Sequence, residues 1–510
     1  VSVIRIPNCG QGVNRDAMPE ELPIGMWSNV QNMRPRDGFM ERFHGIEAKF
    51  TQPSIVPYYI QLFAINQARY CLHAGLTKVF VDDGTTQTEI TGTAPTGGID
   101  DRWTGGMFQG TPILNNGVDD PTYWDGDTAN NLVTLPGWTA GTKARWMRPF
   151  GTFIVAGGMT IGGTEYPHLV QWSDAATAGN LPSTWTAADT NLAGDFPGMV
   201  SDGEQVDAVV WNDALFVFKE DAVWLMRFLQ GSNAVFQINK VPGSGMLYRG
   251  CGVATPKGVV VLTAGDVIIH NGIQEVSIAD GRMRRWIFQT MNRTNWRRSF
   301  VSLNDAYNEV WIWFPSIGKE ACDTVATWNW ETGEWGIRYV QDATYAASGI
   351  VPPGTSTKRW NNQTLAWSEQ TDAWVEDNAA ENQARMVVCT SQSMIGLVDE
   401  GDTDFGNPIS TRLERTGMSF DDADSFKLMK EVALVVDAQP GTLLSVSYGS
   451  HVLPDESPTW RTPRNWTQGT TRKIYDFASG PYLDLRIRSA VNQYWRIRSM
   501  NLSIEKQGRY

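Results

Sequence analysis

The chain has 510 residues and a net charge of −13, from 42 Lys and Arg against 55 Asp and Glu, and only 19% of it is charged. That balance argues against a protein whose main work is wrapping nucleic acid, because neutralising phosphates takes clustered positive charge. With 22 Trp, 49 Gly and 25 Pro, the composition reads as aromatic strands punctuated by turns rather than a helical bundle. A surface this poor in charge suits a subunit that covers much of itself against neighbours.

Residues 1–50 read as an extended arm. Pro7, Pro19, Pro23 and Pro35 remove backbone donors, and Asn14, Asn29 and Asn32 favour turns, so little strand character is expected. Such a segment stays disordered or is pinned along another surface. The opening residues lack a basic stretch followed by an apolar core, so no secretion signal is expected. The most continuous apolar stretch, 258–269, is interrupted by Asp266 and is shorter than the ~18 residues of a membrane span. A soluble chain is expected.

From 51 to 405 a loose repeat runs along the chain: a β-rich run ending near an aromatic, a turn, then a second β-rich run. KVFVDDGTTQTEIT, LFVFKEDAVWLMRF, ATWNWETGEWGIR and TLAWSEQTDAWVE are members. Taking Asp83, Asp125, Asp174, Asp221, Asn271, Glu331 and Thr371 as turn landmarks, the spacings are 42, 49, 47, 50, 60 and 40. Four strands with their loops take about 40–50 residues, the period of a propeller blade. In Leu215–Phe218 and Val223–Met226 both strand faces carry apolar bulk, as sandwiching between two blades requires. The spacing predicts an all-β fold with a six- or seven-bladed β-propeller body, in which one blade can close with strands from both chain ends. Stacked β-sandwiches with coincidental spacing are the competing reading.

Residues 411–510 differ, carrying +3 against −16 for 1–410. Leu483, Leu485 and Ile487 alternate with polar residues, and Trp495 and Ile497 give way to Met500, Leu502 and Ile504. The second pattern slips phase near Arg498–Met500, which a β-bulge produces. A separate antiparallel sandwich or barrel is predicted.

Signals for chemistry are weak. His44, His73, His168, His270 and His451 show no metal-ligand spacing, and neither a nucleophile elbow nor a phosphate loop occurs. Asp119, Asp120, Asp125 and Asp127 lack the Gly and the acid that a calcium loop would need at Asn130 and Pro136, so they read as solvated turns. Cys9, Cys71, Cys251, Cys322 and Cys389 lie far apart and read as reduced, buried thiols. Neither a catalytic residue, a cofactor nor a metal is predicted. One run stands out: Arg282, Arg284, Arg285, Arg293, Arg297 and Arg298, with Trp286, Phe288 and Trp296 interleaved and no acid between. Cation plus aromatic is the composition of single-strand grooves. The competing reading is an inter-blade connector whose aromatics enter the core while its arginines pair with acids of this or a neighbouring subunit.

Four segments in this order carry a family resemblance: GVNRDAMPEELPIGMWSNVQNMRPRDGFMERFHG, NGVDDPTYWDG, GEQVDAVVWNDALFVFKEDAVWLM and GPYLDLRIRSAVNQYWRIRSMNLSIEKQGRY. Together they resemble the nozzle, or tail tube hub, proteins of short-tailed bacteriophages. The resemblance spans the chain through loose patterns rather than an invariant signature. It implies a non-enzymatic virion subunit of the phage tail, assembled in the host cytoplasm into a hexameric ring below the portal and adaptor rings. Such a ring continues the path of genomic double-stranded DNA and carries tail fibres or spikes. An acidic lumen fits that passage, since it lacks the attraction that would hold DNA. On this reading 1–50 is an inter-subunit or adaptor-facing arm, and deleting its first thirty residues leaves the propeller folded but impairs the ring. A monomeric or trimeric propeller scaffold and a propeller glycosidase are the alternatives.

Overall fold

The computed structural model describes residues 2–201, 203–229, 234–352 and 383–509. Among the described residues, seven four-stranded units are arranged as the blades of a β-propeller, the last two joined within one larger sheet. Five are four-stranded units continuous in sequence, opening with innermost strands Tyr59–Ile65, Thr104–Phe108, Lys143–Phe150, Gln205–Trp211 and Gly252–Thr255. The sixth runs Phe300–Asn304, Glu309–Phe314, Cys322–Asn329 and the start of Trp335–Ile350. That long strand continues without a break into the innermost strand of blade seven, where Ala343–Ile350 pairs with Ala384–Thr390. From Thr104–Phe108 onward each innermost strand packs on the next around the axis, Trp335–Ile350 packs back on Tyr59–Ile65, and blades one and two share a core of Tyr59, Phe63, Leu72, Trp103 and Leu114.

Second strands are buried on both faces because each blade is flanked by two others. Ala214–Lys219 and Glu309–Phe314 are buried at every residue, so their apolar runs show no alternation. The turn landmarks Asp83, Asp125, Asp174, Asn271 and Glu331 fall between third and fourth strands of their blades, whereas Asp221 falls between second and third. That slip, with the long excursion between Thr164–Trp172 and Gly194–Phe196, accounts for uneven spacing. The member around Thr371 lies outside the described residues.

Blade seven takes its fourth strand from the other end of the chain: Ile46–Ala48 pairs with Ile395–Val398. Here the structure differs from the expectation of an irregular 1–50 segment. Ser2–Ile6 and Phe39–Arg42 pair with Trp495–Arg509, and Asn29–Gln31 pairs with Thr411–Met418. Ser2–Ile6 and Asn29–Gln31 are five and three residues long and matched to partners at the far end of the chain, so local alternation could not reveal them. Phe39–Arg42 also forms a local hairpin with Met33–Arg36 about the Asp37-Gly38 turn. Ile6, Val13, Trp27 and Val30 are fully buried, so the segment is part of the core.

The C-terminal region is a sandwich of two sheets, completed by those N-terminal strands. One sheet orders Asn29–Gln31, Thr411–Met418, Tyr482–Ser489 and Leu443–His451; the other orders Trp495–Arg509, Ser425–Ala438 and Ile474–Gly480. Leu483, Leu485 and Ile487 point inward from the first against Val432, Trp495, Ile497 and Leu502 of the second. The predicted phase slip is present: Val435 faces Ser499 while Val436 faces Ile497, leaving Arg498 as the extra residue of a bulge.

Propeller and sandwich meet at a buried ionic joint. Arg34, on the strand Met33–Arg36, donates to Glu41 (2.8 Å) and Asp399 (3.0 Å), lies 3.4 Å from Glu309, and covers the ring of Tyr307 at 3.6 Å. Arg338 donates to Asp404 (2.6 Å) and to the His44 carbonyl (2.7 Å), while Arg42 pairs with Asp402 at 3.2 Å. All three guanidiniums are withdrawn from solvent.

Candidate functional site

The arginine run occupies the connector between blades five and six, on the propeller face where innermost strands begin. It forms a helix, Arg284–Thr290, and a single 3-10 turn, Trp296–Arg298. Ile287 and Met291 are buried, and Trp286 packs edge-on to Phe314 at 5.8 Å, which fixes the helix on blade six. The N-terminal segment secures the connector from outside. Asn14 accepts from the Asp16 and Ala17 amides and donates to the Gly281 carbonyl, and the Asp16 carboxylate accepts the Arg285 and Trp286 amides at 2.9 and 3.1 Å. A carboxylate there satisfies free donors at the helix start. The Asn-Arg-Asp turn thus binds its own chain.

The six arginines divide by environment. Arg282 pairs with Glu334 at 2.6 Å, and Arg298 meets the Glu320 carbonyl at 2.9 Å and its carboxylate at 3.5 Å. Arg284 lies 3.5 Å from Asp280 and 3.7 Å from Asp266. Arg297 lies 5.4 Å from the ring centre of Trp296 and 5.6 Å from that of Tyr248. Arg285 and Arg293 are exposed, and neither side chain has an ion pair or hydrogen bond among the described residues. Phe288 and Trp296 are half-buried against the core. Beside them lies a cleft of about 760 Å³ between the connector and the hairpin turns of blades four and five.

Arginine side chains cross the propeller axis at this face. Arg249 donates through Nη1 to the carbonyls of Arg102, Asn116 and Arg145, each at 3.1 Å, which spans three blades. Arg102 crosses to the connector, donating to the carbonyls of Arg297 (3.1 Å) and Arg298. The thiols of Cys251 and Cys322 donate to the carbonyls of Ser299 and Arg298 at 3.2 and 3.1 Å. Burial pushes the Cys251 thiol up to about 12 and Cys322 higher still, so both stay protonated donors rather than nucleophiles.

Further along the axis Arg148 and Asp207 form a two-pronged pair at 3.0 and 2.7 Å. Burial works against the Arg148 charge, but Asp207 outweighs it and holds the guanidinium above its ordinary range. The Asp207 carboxylate also accepts the Ala208 and Gly250 amides at 2.8 and 2.9 Å. All its strong acceptor directions are taken, so it is neither a free base nor an acid for glycoside cleavage. The axial cavity beyond, about 530 Å³, is lined by Gly105, Ala208, Val253, Ser302 and Ala346.

Sequence reading missed Arg102, Arg148, Asp207 and Arg249. A signal was present: Arg102, Arg145, Arg249 and Arg298 all stand at or just before innermost strands of different blades. The acids 119–127 serve turns; Asp125 accepts the Asp127 amide and the Asn130 side chain, and Asp119 accepts from Thr96 and Asn116. Among the described residues no cluster of three His, Cys, Asp or Glu is placed to hold a metal ion, and no helix is long and apolar enough to cross a membrane.

No family model and no curated protein matches the chain. Among solved structures it is similar to the WD40 β-propeller domain of Doa1, at 9% identity and a TM-score of 0.36, over 70% of this chain and 97% of that one. It is also similar to the extracellular domain of the one-component system BT4673 from B. thetaiotaomicron. That match has 10% identity and a TM-score of 0.37, over 70% of this chain and 40% of that one.

Proposed function

We propose that this β-propeller protein is a non-enzymatic scaffold that works through its outer surfaces, and specifically the ring-forming nozzle subunit of a short-tailed phage tail. The observation that carries the scaffold reading is the cross-tied axis. Arg249 and Arg102 cross one end on backbone carbonyls, and the Asp207 carboxylate within the shaft is taken up by Arg148 and two backbone amides. These ties favour the rims, the connector and the sandwich as working surfaces.

The nozzle reading adds the family resemblance and the charge of −13. Its motif residues act here as architectural ties: Asn14 and Asp16 pin the connector, and Arg34 and Arg42 build the joint. Six copies around a wider conduit would give DNA an acidic wall to slide along, with portal or adaptor rings above and fibres or spikes below. Mass measurement and negative-stain imaging of the chain, alone and with its tail partners, test this. Six-fold rings are expected. A lone monomer in both settings sinks the nozzle reading and leaves the scaffold, while release of reducing sugar from a glycan would sink the scaffold.

A further inference from the structure

We propose that the cleft beside the arginine connector is a socket for the 452–456 loop of a second copy of this chain. The proposal rests on the ring reading and names a contact that reading lacks. The cleft floor is apolar, made by Met246, Leu247, Phe288, Met291 and Trp296. Its connector rim carries Arg285 and Arg293, whose exposed side chains have no partner among the described residues, beside Arg284, which donates to the Gly265 carbonyl at 2.9 Å. Positive charge above an apolar floor is left for an incoming group. Its volume of about 760 Å³ matches sites that enclose a compact ligand.

The loop Val452-Leu453-Pro454-Asp455-Glu456 has the complementary design. It follows the strand Leu443–His451 of the sandwich, and Val452 and Leu453 are 40% and 64% exposed. The Glu456 carboxylate accepts the amides of Val452 (3.2 Å) and Leu453 (3.4 Å), and the Glu456 amide donates to the Leu453 carbonyl (3.0 Å). The aliphatic tip is therefore shaped before contact, which lowers the entropy cost of docking. Asp455 is exposed and has no ion pair among the described residues. An apolar tip with an acidic flank answers an apolar floor with a cationic rim. Glu220 and Asp221 on the opposite wall set the direction, since the loop's acids must face the connector. Socket and loop are different patches of one chain, so the contact is head-to-tail, the kind that closes into a ring when the rotation allows.

Two measurements test this. The full-length chain is titrated calorimetrically with a peptide spanning 450–458. Saturable binding that weakens with salt is expected, falling about tenfold in Arg285→Ser/Arg293→Ser and with a Leu453→Ser peptide. Binding that is absent, or untouched by both changes, overturns the socket. Gln289→Cys/Leu453→Cys chains are then oxidised within assembled particles, and a covalent inter-subunit ladder is expected. Rings that form without the ladder overturn the socket and leave the ring reading standing. A chain that stays monomeric with its tail partners present overturns both.

Discussion

Two arginine clusters in this molecule have the same chemistry and opposite fates. At the joint of propeller and sandwich, Arg34, Arg42 and Arg338 are withdrawn from water and matched by Glu41, Glu309, Asp399, Asp402 and Asp404. On the connector, Arg285 and Arg293 are exposed, and neither side chain has an ion-pair partner among the described residues. A buried guanidinium must be paired, so its sequence partners are fixed by the fold; an exposed one is free to serve a surface. The difference separates arginines that hold the chain together from those available to something outside it.

The largest loss comes from removing the N-terminal strands that precede the joint. Deleting residues 1–30 takes away Ile6, Val13, Trp27 and Val30 from the core and two strands from the sandwich. The sandwich should lose protection throughout in hydrogen-exchange mass spectrometry. A truncated chain with native protection would show that the segment is only laid on the surface. This replaces the expectation that the deletion impairs assembly alone.

Arg34→Ala strands three buried acids and should lower stability by about 3–5 kcal/mol in denaturant melts. A loss below about 1 kcal/mol would mean water reaches the joint. Next, Arg249→Ala frees three carbonyls at the axis and should cost about 2 kcal/mol, read in the same way.

A smaller effect, confined to part of the pH range, comes from Glu309. Burial pushes its carboxyl up to about 7 from an ordinary value of 4.5. The folded chain then holds a proton that the unfolded chain has released, so stability should fall as pH rises from 4.5 through 7 and level off above. Glu309→Gln should flatten that slope, and an unchanged slope would assign it to another group. Smallest of all, Arg285→Ser/Arg293→Ser should shift stability by less than about 0.5 kcal/mol. With Arg284, Arg285, Arg297 and Arg298 all changed to Ser, subunit contacts should suffer first, whereas lost DNA retention in normal particles would favour a DNA-facing connector.

Legibility in the sequence followed the range of the interactions. Hairpins such as Val79–Asp82 with Gln87–Glu89 announce themselves through local β-rich runs and turns. The bulge at Arg498 was visible because one strand carries both phases of the pattern. Ser2–Ile6 and Asn29–Gln31 were hidden, since their apolar faces have meaning only against strands beyond residue 410. The connector was conspicuous by composition, yet its division into anchored and unpaired arginines depends on Glu334, Asp266 and Glu320, which no spacing rule links to it. The axial ties were the hardest to see. Arg249 acts on backbone carbonyls, and carbonyls leave no trace in a sequence.

The seventh blade sets a timetable for biosynthesis. Ile46–Ala48 emerges from the ribosome roughly 350 residues ahead of the strand it must join at Ile395–Val398. At about 5–20 residues per second, that is a wait of roughly twenty to seventy seconds. Throughout it the nascent polypeptide offers an unclosed edge to any passing strand. A chaperone or rapid closure on completion would therefore decide the yield of native protein. Tags or fusions placed near residue 46 should harm expression far more than their size suggests.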